Sequence, residues 1–203
     1  MSQKPKIDGK ANKSARTKAR IIKAARPIFA KKGYGSTSLL EVTKAAKVTT
    51  GAIYHHFRDK KGLFQAVAED MEQEILDDVT ERISTISEPW DMFETGIIET
   101  LEICARPDIQ RIVFREAPSV IGLREWRDIE VKYAFGLMRM TVQQLVSEGL
   151  IKTSAPDMTS QILLGALIEA AHSVAEAENK HKALTDAKAT METLLGALKK
   201  QPQ

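Results

Sequence analysis

The sequence predicts an all-α protein of about nine helices, with a small basic N-terminal domain of three helices and a larger acidic helical domain behind it. Three observations carry this reading. Apolar residues recur at helical spacing along nearly the whole chain, with no alternating run long enough for a strand. Cap signals open and close short helices near the N-terminus. The charge is divided: residues 1–61 hold 16 Lys/Arg against Asp8, Glu41 and Asp59, a balance of +13, while residues 62–203 hold 14 against 24, a balance of −10.

At 203 residues the chain is long enough to bury one large core or two small ones. Its single cysteine, Cys104, excludes a disulfide framework within one chain and fits a reducing compartment. The basic opening MSQKPKIDGK lacks the apolar run of a signal peptide, and no stretch approaches the ~20 apolar residues of a membrane span. A cytoplasmic protein is expected. Lysine and arginine concentrated in one segment suit a polyanion, because each phosphate contact releases counterions from a nucleic acid. A solvated tail accounts for residues 1–13, read as a flexible basic arm, but not for the structured residues 14–61.

In the first helix Ile21, Ile22, Ala25, Ile28 and Phe29 make one apolar face, which ends at Gly33 because glycine accepts the left-handed conformation. Pro27 lies inside it and predicts a kink or a tertiary compensation. Ser38 with Glu41 forms a capping box for a short helix to about Ala46, and Thr49 caps another beginning near Thr50. Two such helices joined by about three residues cannot run parallel, which matches a helix-turn-helix over residues 38–57. Leu40, Ala45, Val48 and Ile53 are expected to hold the pair together. Thr50, Ala52, Tyr54 and His55 are left outward, and Gly51 permits close approach to a duplex backbone. Tyr54 and His55 have the reach for phosphates, while threonine and alanine suit base edges and thymine methyls. The bland alternative makes Tyr54 and Phe57 core aromatics; helical order favours it for Phe57 and disfavours it for Tyr54.

No cofactor, catalytic site or metal site is expected. His55 and His56 are adjacent on a helix and point about 100° apart. The Glu169/His172 and Glu178/His181 pairs fall on opposite faces if they share a helix, roughly 13 Å apart. No Gly-rich phosphate loop, zinc spacing or nucleophile elbow occurs.

The run TKARIIKAARPIFAKKGYGSTSLLEVTKAAKVTTGAIYHHFRDKKGLFQAV, residues 17–67, resembles the DNA-binding domain of TetR-family transcriptional regulators. Four elements carry the resemblance in order: IIKAARPIFAKKGY, the Thr37/Ser38 start of the second helix, VTTGAIYHHF, and Lys60 just inside a fourth helix. It implies phosphate contacts from Thr37 or Ser38, Tyr54, His55 and Lys60, and base reading by Thr49 to Tyr54. Val42-Thr43 and Lys47 stand where the family commonly has Ile-Ala and Gly, so Lys47 brings a charge to the turn and loses a glycine.

Residues 62–203 are read as the effector-binding and dimerisation domain. Leu63, Phe64, Val67, Met71, Ile75, Val79 and Ile83 mark a long fourth helix opened by Asp59, and Pro89, Pro107 and Pro156 stand in the first turns of later helices. The six aromatics beyond Phe64 all lie between Trp90 and Phe135. Ordinary core packing is one account of this cluster; the other is a pocket, with Phe93, Ile97, Cys104, Phe114, Trp126, Leu137 and Met140 as its candidate lining. The resemblance favours the pocket, since the family typically binds a small molecule there. Arg111 and Arg115 are open between meeting an acidic group and facing solvent.

The pentapeptide LLGAL occurs at residues 163–167 and again at 194–198. Glycine inside a helix costs about 1 kcal/mol and is usually compensated by close approach of another backbone. Leu164, Gly165, Ile168, Ala171, Ala175, Leu194, Leu195 and Leu198 are therefore the candidate face of a four-helix homodimer contact, with an intrachain core as the alternative. The function read from all this is a DNA-binding regulator of a palindromic duplex operator, a repressor released by a small hydrophobic effector. The competing class is a helical enzyme or carrier whose basic segment serves another anion.

Overall fold

The computed structural model describes residues 7–200, with side chains from residue 11 onward. It is helical, with no strand among these residues beyond an isolated bridge between Ile151 and Lys199. The chain divides into two compact units at Asp70/Met71, later than the boundary expected after residue 61 and inside a helix.

The first unit contains α1 (Ile7–Ser36), α2 (Leu39–Ala46), α3 (Thr50–Phe57) and the opening of α4 (Lys60–Ile83). Of the expected flexible arm, residues 1–6 lie outside the described residues and 7–13 are the first turns of α1. Ile21, Ile22, Ala25 and Phe29 are buried along one face of α1, while Pro27 is exposed on another and leaves the helix unbroken. The break comes at Gly33, whose φ of 81° and ψ of 168° suit glycine. Phe29 and Phe64 meet edge to face at 5.1 Å, and Tyr34 packs edge to face on Phe64 at 5.3 Å. Leu63, Phe64, Val67 and Ala68 on α4 complete this core.

Both expected caps form. The Ser38 hydroxyl accepts from the Glu41 amide while the Glu41 carboxylate accepts from the Ser38 amide, and Thr49 Oγ1 accepts from the Ala52 amide at 3.2 Å. Lys47 ends α2 in the left-handed region, φ 51° and ψ 52°, a conformation that costs a side-chain-bearing residue roughly 1 to 2 kcal/mol. The buried face of α2 differs from the expected one. Val42, Thr43 and Ala46 are buried, Leu40 is 58% exposed and Ala45 also faces out. Leu40 lies two residues before Val42, about 200° round the helix, so the two cannot share a face.

In the second unit α5 (Pro89–Cys104), α7 (Leu123–Ser147), α8 (Pro156–Glu176) and α9 (Lys180–Leu198) accompany the C-terminal part of α4. The sixth helix, α6, is one continuous rod through Pro107–Ile109, Gln110–Glu116 and Ala117–Ile121, and its middle stretch is π-wound. That wider winding buries Ile112, Val113 and Phe114 in succession. Pro89, Pro107 and Pro156 each begin a helix, where the missing amide costs nothing.

The repeated pentapeptide occupies two different environments. In α8, Leu163, Leu164 and Leu167 are buried; in α9 only Leu195 is, and Leu194, Gly196 and Ala197 face out. Neither glycine is approached by another backbone of the chain: a Cβ on Gly165 would meet only the Arg127 guanidinium at 3.7 Å, and one on Gly196 would meet nothing within 4 Å.

The tightest glycine is Gly62. Its amide donates to Asp59 Oδ1 at 2.7 Å, capping α4, and a Cβ built there would lie 2.1 Å from the Phe57 carbonyl oxygen. Gly62→Ala must therefore displace backbone and should destabilise the first unit by roughly 1 to 3 kcal/mol or more, whereas Gly35→Ala, with open space around it, should leave thermal melting unchanged. Equal melting of the two variants would refute this packing.

Candidate nucleic-acid interface and effector cavity

On α3 the apolar spacing decides what is presented. Ile53 and Phe57 are buried, while Thr50, at the first turn, Gly51, Tyr54 and His55 are exposed, Tyr54 by 52%, and Ala52 is half-buried beside them. Lys47 and Thr49 are exposed in the turn before the helix, and Ser38 is exposed at the start of α2. Lys60 is held rather than free: its Nζ donates to the Gly35 carbonyl at 3.2 Å and sits 4.5 Å above the Tyr34 ring. Thr37 is not part of this surface. It is 2% exposed, and its hydroxyl donates to the Gly33 carbonyl at 2.7 Å, tying the end of α1 to the start of α2. Ser38 is the one of the two at the surface.

Burial lowers the pKa of His56, and the neighbouring His55 and Lys18 charges lower it further. At neutral pH His56 therefore stays uncharged. The hydrogen bond from Lys32, followed by that from the Ser38 amide, holds the Glu41 carboxyl below its ordinary range. One basic surface escaped the sequence reading: Lys13, Arg16 and Arg20 line a shallow concavity on α1 with Asn12 and Thr17. The signal was the i, i+4 spacing of Arg16 and Arg20, which sets both guanidinium groups on one face.

The second unit holds a partly open cavity of about 350 Å³ between α4, α5, α7 and α8. Ile75, Val79 and Ile83 line it from α4, Phe93 and Ile97 from α5, Tyr133, Leu137 and Met138 from α7, and Leu164 and Leu167 from α8. Of the candidate lining residues, Phe93, Ile97 and Leu137 are thus brought together and the other four are not. Trp126 is buried elsewhere in the core. Phe114 packs edge to face against His172 at 5.0 Å, Cys104 is buried, and Met140 is 67% exposed. The aromatic cluster therefore splits between the cavity wall and a separate core layer formed with the π-wound stretch. Arg111 and Arg115 belong to neither: Arg111 pairs with Glu116 at 3.2 Å, and Arg115 Nε donates to the Ala175 carbonyl at 3.0 Å.

Glu72 was missed by the sequence reading, and it is the one acidic or basic side chain among the described cavity-lining residues. Its signal was position, one turn before Ile75 and Leu76 on the apolar side of α4. Burial, with the Glu130 charge adding to it, pushes its carboxyl up to about 8. Glu130 is itself buried, its Oε1 3.5 Å from His172 Nε2, and this polar contact is the main cause of the raised pKa of His172. The Cys104 thiol is pushed up by burial and then by Glu72 and Glu130.

Residues 21–67 match the family model for bacterial regulatory proteins of the tetR family, and residues 90–198 match that for the tetracyclin repressor-like C-terminal domain. The chain is 30% identical over 146 residues to the transposon Tn10 TetC protein of Escherichia coli, covering 71% of this chain and 73% of that one. It is 30% identical over 167 residues to the HTH-type transcriptional repressor BepR of Brucella suis, covering 74% and 77% respectively. The crystal structure of a TetR-family transcriptional regulator from Pectobacterium atrosepticum is similar with a TM-score of 0.85 and 32% identity, over 95% of this chain and 98% of that one.

Two outcomes are expected from this geometry. Tyr54→Ala should weaken duplex binding with little change in melting, whereas Ile53→Ala should cost about 2 to 5 kcal/mol of stability, as buried aliphatic truncations do; parallel melts and binding titrations check both. The second concerns pH. Glu72 keeps its proton in the folded chain up to about 8, while the unfolded carboxyl loses it near its ordinary value, so stability falls as pH rises between the two. The raised pKa of His172 acts in the same direction, its contribution being complete below its unfolded value and lost as pH rises through the folded one. Glu72→Gln should accordingly melt higher than the parent at about pH 8.5 and alike at about pH 5.

Proposed function

The chain belongs to the TetR family of transcriptional regulators, and on that premise we propose that it is a repressor which leaves its operator when a small apolar effector fills the cavity of the second unit. The observation that carries the reading is the pairing of two surfaces: an outward face on α3 in the basic unit, and a partly open, largely apolar cavity in the acidic one. Thr50, Gly51 and Ala52 would meet base edges, with Ser38, Lys47, Tyr54, His55 and the Arg16/Arg20 surface on flanking phosphates. A helical enzyme or carrier, the alternative class, is not supported by the likenesses to regulators.

One eight-residue recognition helix reaches only a few base pairs, so specific binding requires two copies on half-sites about 34 to 36 Å apart. The candidate dimer residues fall in different environments. Leu164, Ala171, Ala175 and Leu195 are buried by the chain's own elements, leaving Gly165, Ile168 and Leu198 half-buried and Leu194 exposed. Met158 and Ile162 on α8 are exposed and apolar one turn apart, and with Leu194 on α9 they form the face we assign to the homodimer.

Selection of bound fragments from random duplex DNA should yield a palindrome, and its affinity should fall steeply between low and moderate salt. Ile162→Glu combined with Leu194→Glu should give a folded monomer that binds this palindrome at least ~100-fold more weakly, because the second contact is no longer effectively intramolecular. Leu164→Glu should instead unfold the second unit, since it buries a charge without a partner. Sedimentation and a binding titration on one sample decide the matter: an undiminished affinity in a monomeric double variant would remove the dimer from the account.

A further inference from the structure

The lining of the effector cavity is mostly apolar, with the hydroxyls of Thr80, Ser84, Thr100, Tyr133 and Thr141 and a single carboxyl, that of Glu72. Glu72 projects into it from α4 with no hydrogen bond or ion pair from any described residue, and no lysine, arginine or histidine is among the cavity's described lining. Glu130, buried on α7, adds a second carboxylate near enough to oppose ionisation of Glu72. Outside the cavity, a shallow groove shares Leu76, Thr80, Ser84 and Leu137 with it and adds the exposed carboxylates of Asp77 and Glu81. A ligand entering by this groove passes two acids, crosses apolar walls that include the Phe93 and Tyr133 rings, and meets a third acid inside.

We infer that the effector is an apolar cation, an amine or quaternary ammonium carried on a hydrophobic frame, with its positive centre at Glu72 and its frame among Phe93, Ile97, Tyr133 and Leu137. The inference rests on the reading of this cavity as the effector site. An unpaired carboxyl inside an apolar wall is costly, and a cation that arrives already poorly hydrated compensates it at small desolvation cost. Aromatic faces attract the same charge, and the acids of the groove steer it inward. No cationic side chain is among the cavity's described lining, and Lys132, whose Nζ lies 5.1 Å from the Tyr133 ring centroid, is not part of it.

The cation also changes the protonation of the site. With its carboxyl pushed up to about 8, Glu72 holds a proton at neutral pH, and an ammonium beside it favours the carboxylate, so binding expels that proton to solvent. The titratable groups that act on or are acted on by Glu72 are Glu130 on α7, paired with His172 on α8, and Cys104 on α5, and Tyr133 on α7 shares the cavity wall with it. Arg106, which also acts on Cys104, is engaged by Glu74 and Asp78.

The test uses the full chain and two probes of nearly the same shape: benzyltrimethylammonium and its uncharged carbon isostere, neopentylbenzene. Calorimetry at neutral pH in buffers of different ionisation enthalpy should give binding of the cation at least ~10-fold tighter than of the isostere, with release of a proton. Glu72→Gln should abolish both the preference and the proton release. Gly96→Phe, which places a ring in space where a Cβ would only touch Ile83 and Val79 at 3.7 to 3.9 Å, should abolish binding of both probes, with helicity checked by circular dichroism. Equal or tighter binding of the isostere by the parent chain, lost in Gly96→Phe, would overturn the charge assignment and leave the effector cavity standing. Equal cation binding by Glu72→Gln would also overturn it. Binding of neither probe by the parent chain would overturn both the charge assignment and the reading of the cavity as an effector site.

Discussion

An eight-residue helix does not persist in water by itself, because nucleation costs more than two turns of hydrogen bonds return. α3 therefore exists only through the burial of Ile53 and Phe57, and everything it presents follows from those two side chains. Tyr54 stands about 100° round the helix from Ile53 and is exposed, Thr50 is exposed because it opens the first turn, and Gly51 adds no side chain to that surface. The Thr49 cap fixes where the helix begins, and Lys47 accepts a strained backbone so that the turn before it can close. The left-handed strain at Lys47 is the counterpart of a charge held in the turn, where glycine would relax the backbone and lose the cation.

Local chemistry was legible in the sequence, and long-range partnership was not. Capping boxes, proline at helix starts and the buried face of α1 depend on residues within one turn of each other, so spacing alone specifies them. Leu40 was misplaced because a two-turn helix offers too few apolar residues to fix its phase; Val42, Thr43 and Ala46 take the core face although two of the three are small and one is polar. Thr37 reads as a surface hydroxyl until Gly33 turns its carbonyl toward it. Pro27 sits on the solvent side of α1, which is why the break appears at Gly33 instead.

The second unit hid more, for two physical reasons. A π-wound stretch changes the period, so three successive residues of α6 are buried and a search at 3.6 misreads their faces. Composition also misleads where environment decides: identical LLGAL segments become core in α8, which packs against α5, α6, α7 and α9, and largely surface in α9, which packs chiefly against α5 and α8. The aromatic cluster was a sound pointer to a cavity in the region but not to its walls. Half of that cluster fills the core that keeps the cavity open.

The same long helix, α4, opens with Lys60 and Gly62 in the first unit and carries Glu72, Ile75 and Val79 into the cavity wall of the second. A ligand in the cavity changes operator binding only to the extent that it prefers one arrangement of the dimer over another. A tenfold loss of operator affinity thus demands about 1.4 kcal/mol of differential binding, and the operator must oppose the ligand by the same factor. Apolar contacts that merely fill space are poor at such discrimination, since they change gradually with small movements. An unpartnered carboxyl discriminates more sharply: its interaction with a positive centre depends on distance, on exclusion of water and on whether a proton has left. If the cavity takes a cationic effector as proposed, Glu72 is a place where a small shift of α4 would change the ligand's interaction sharply.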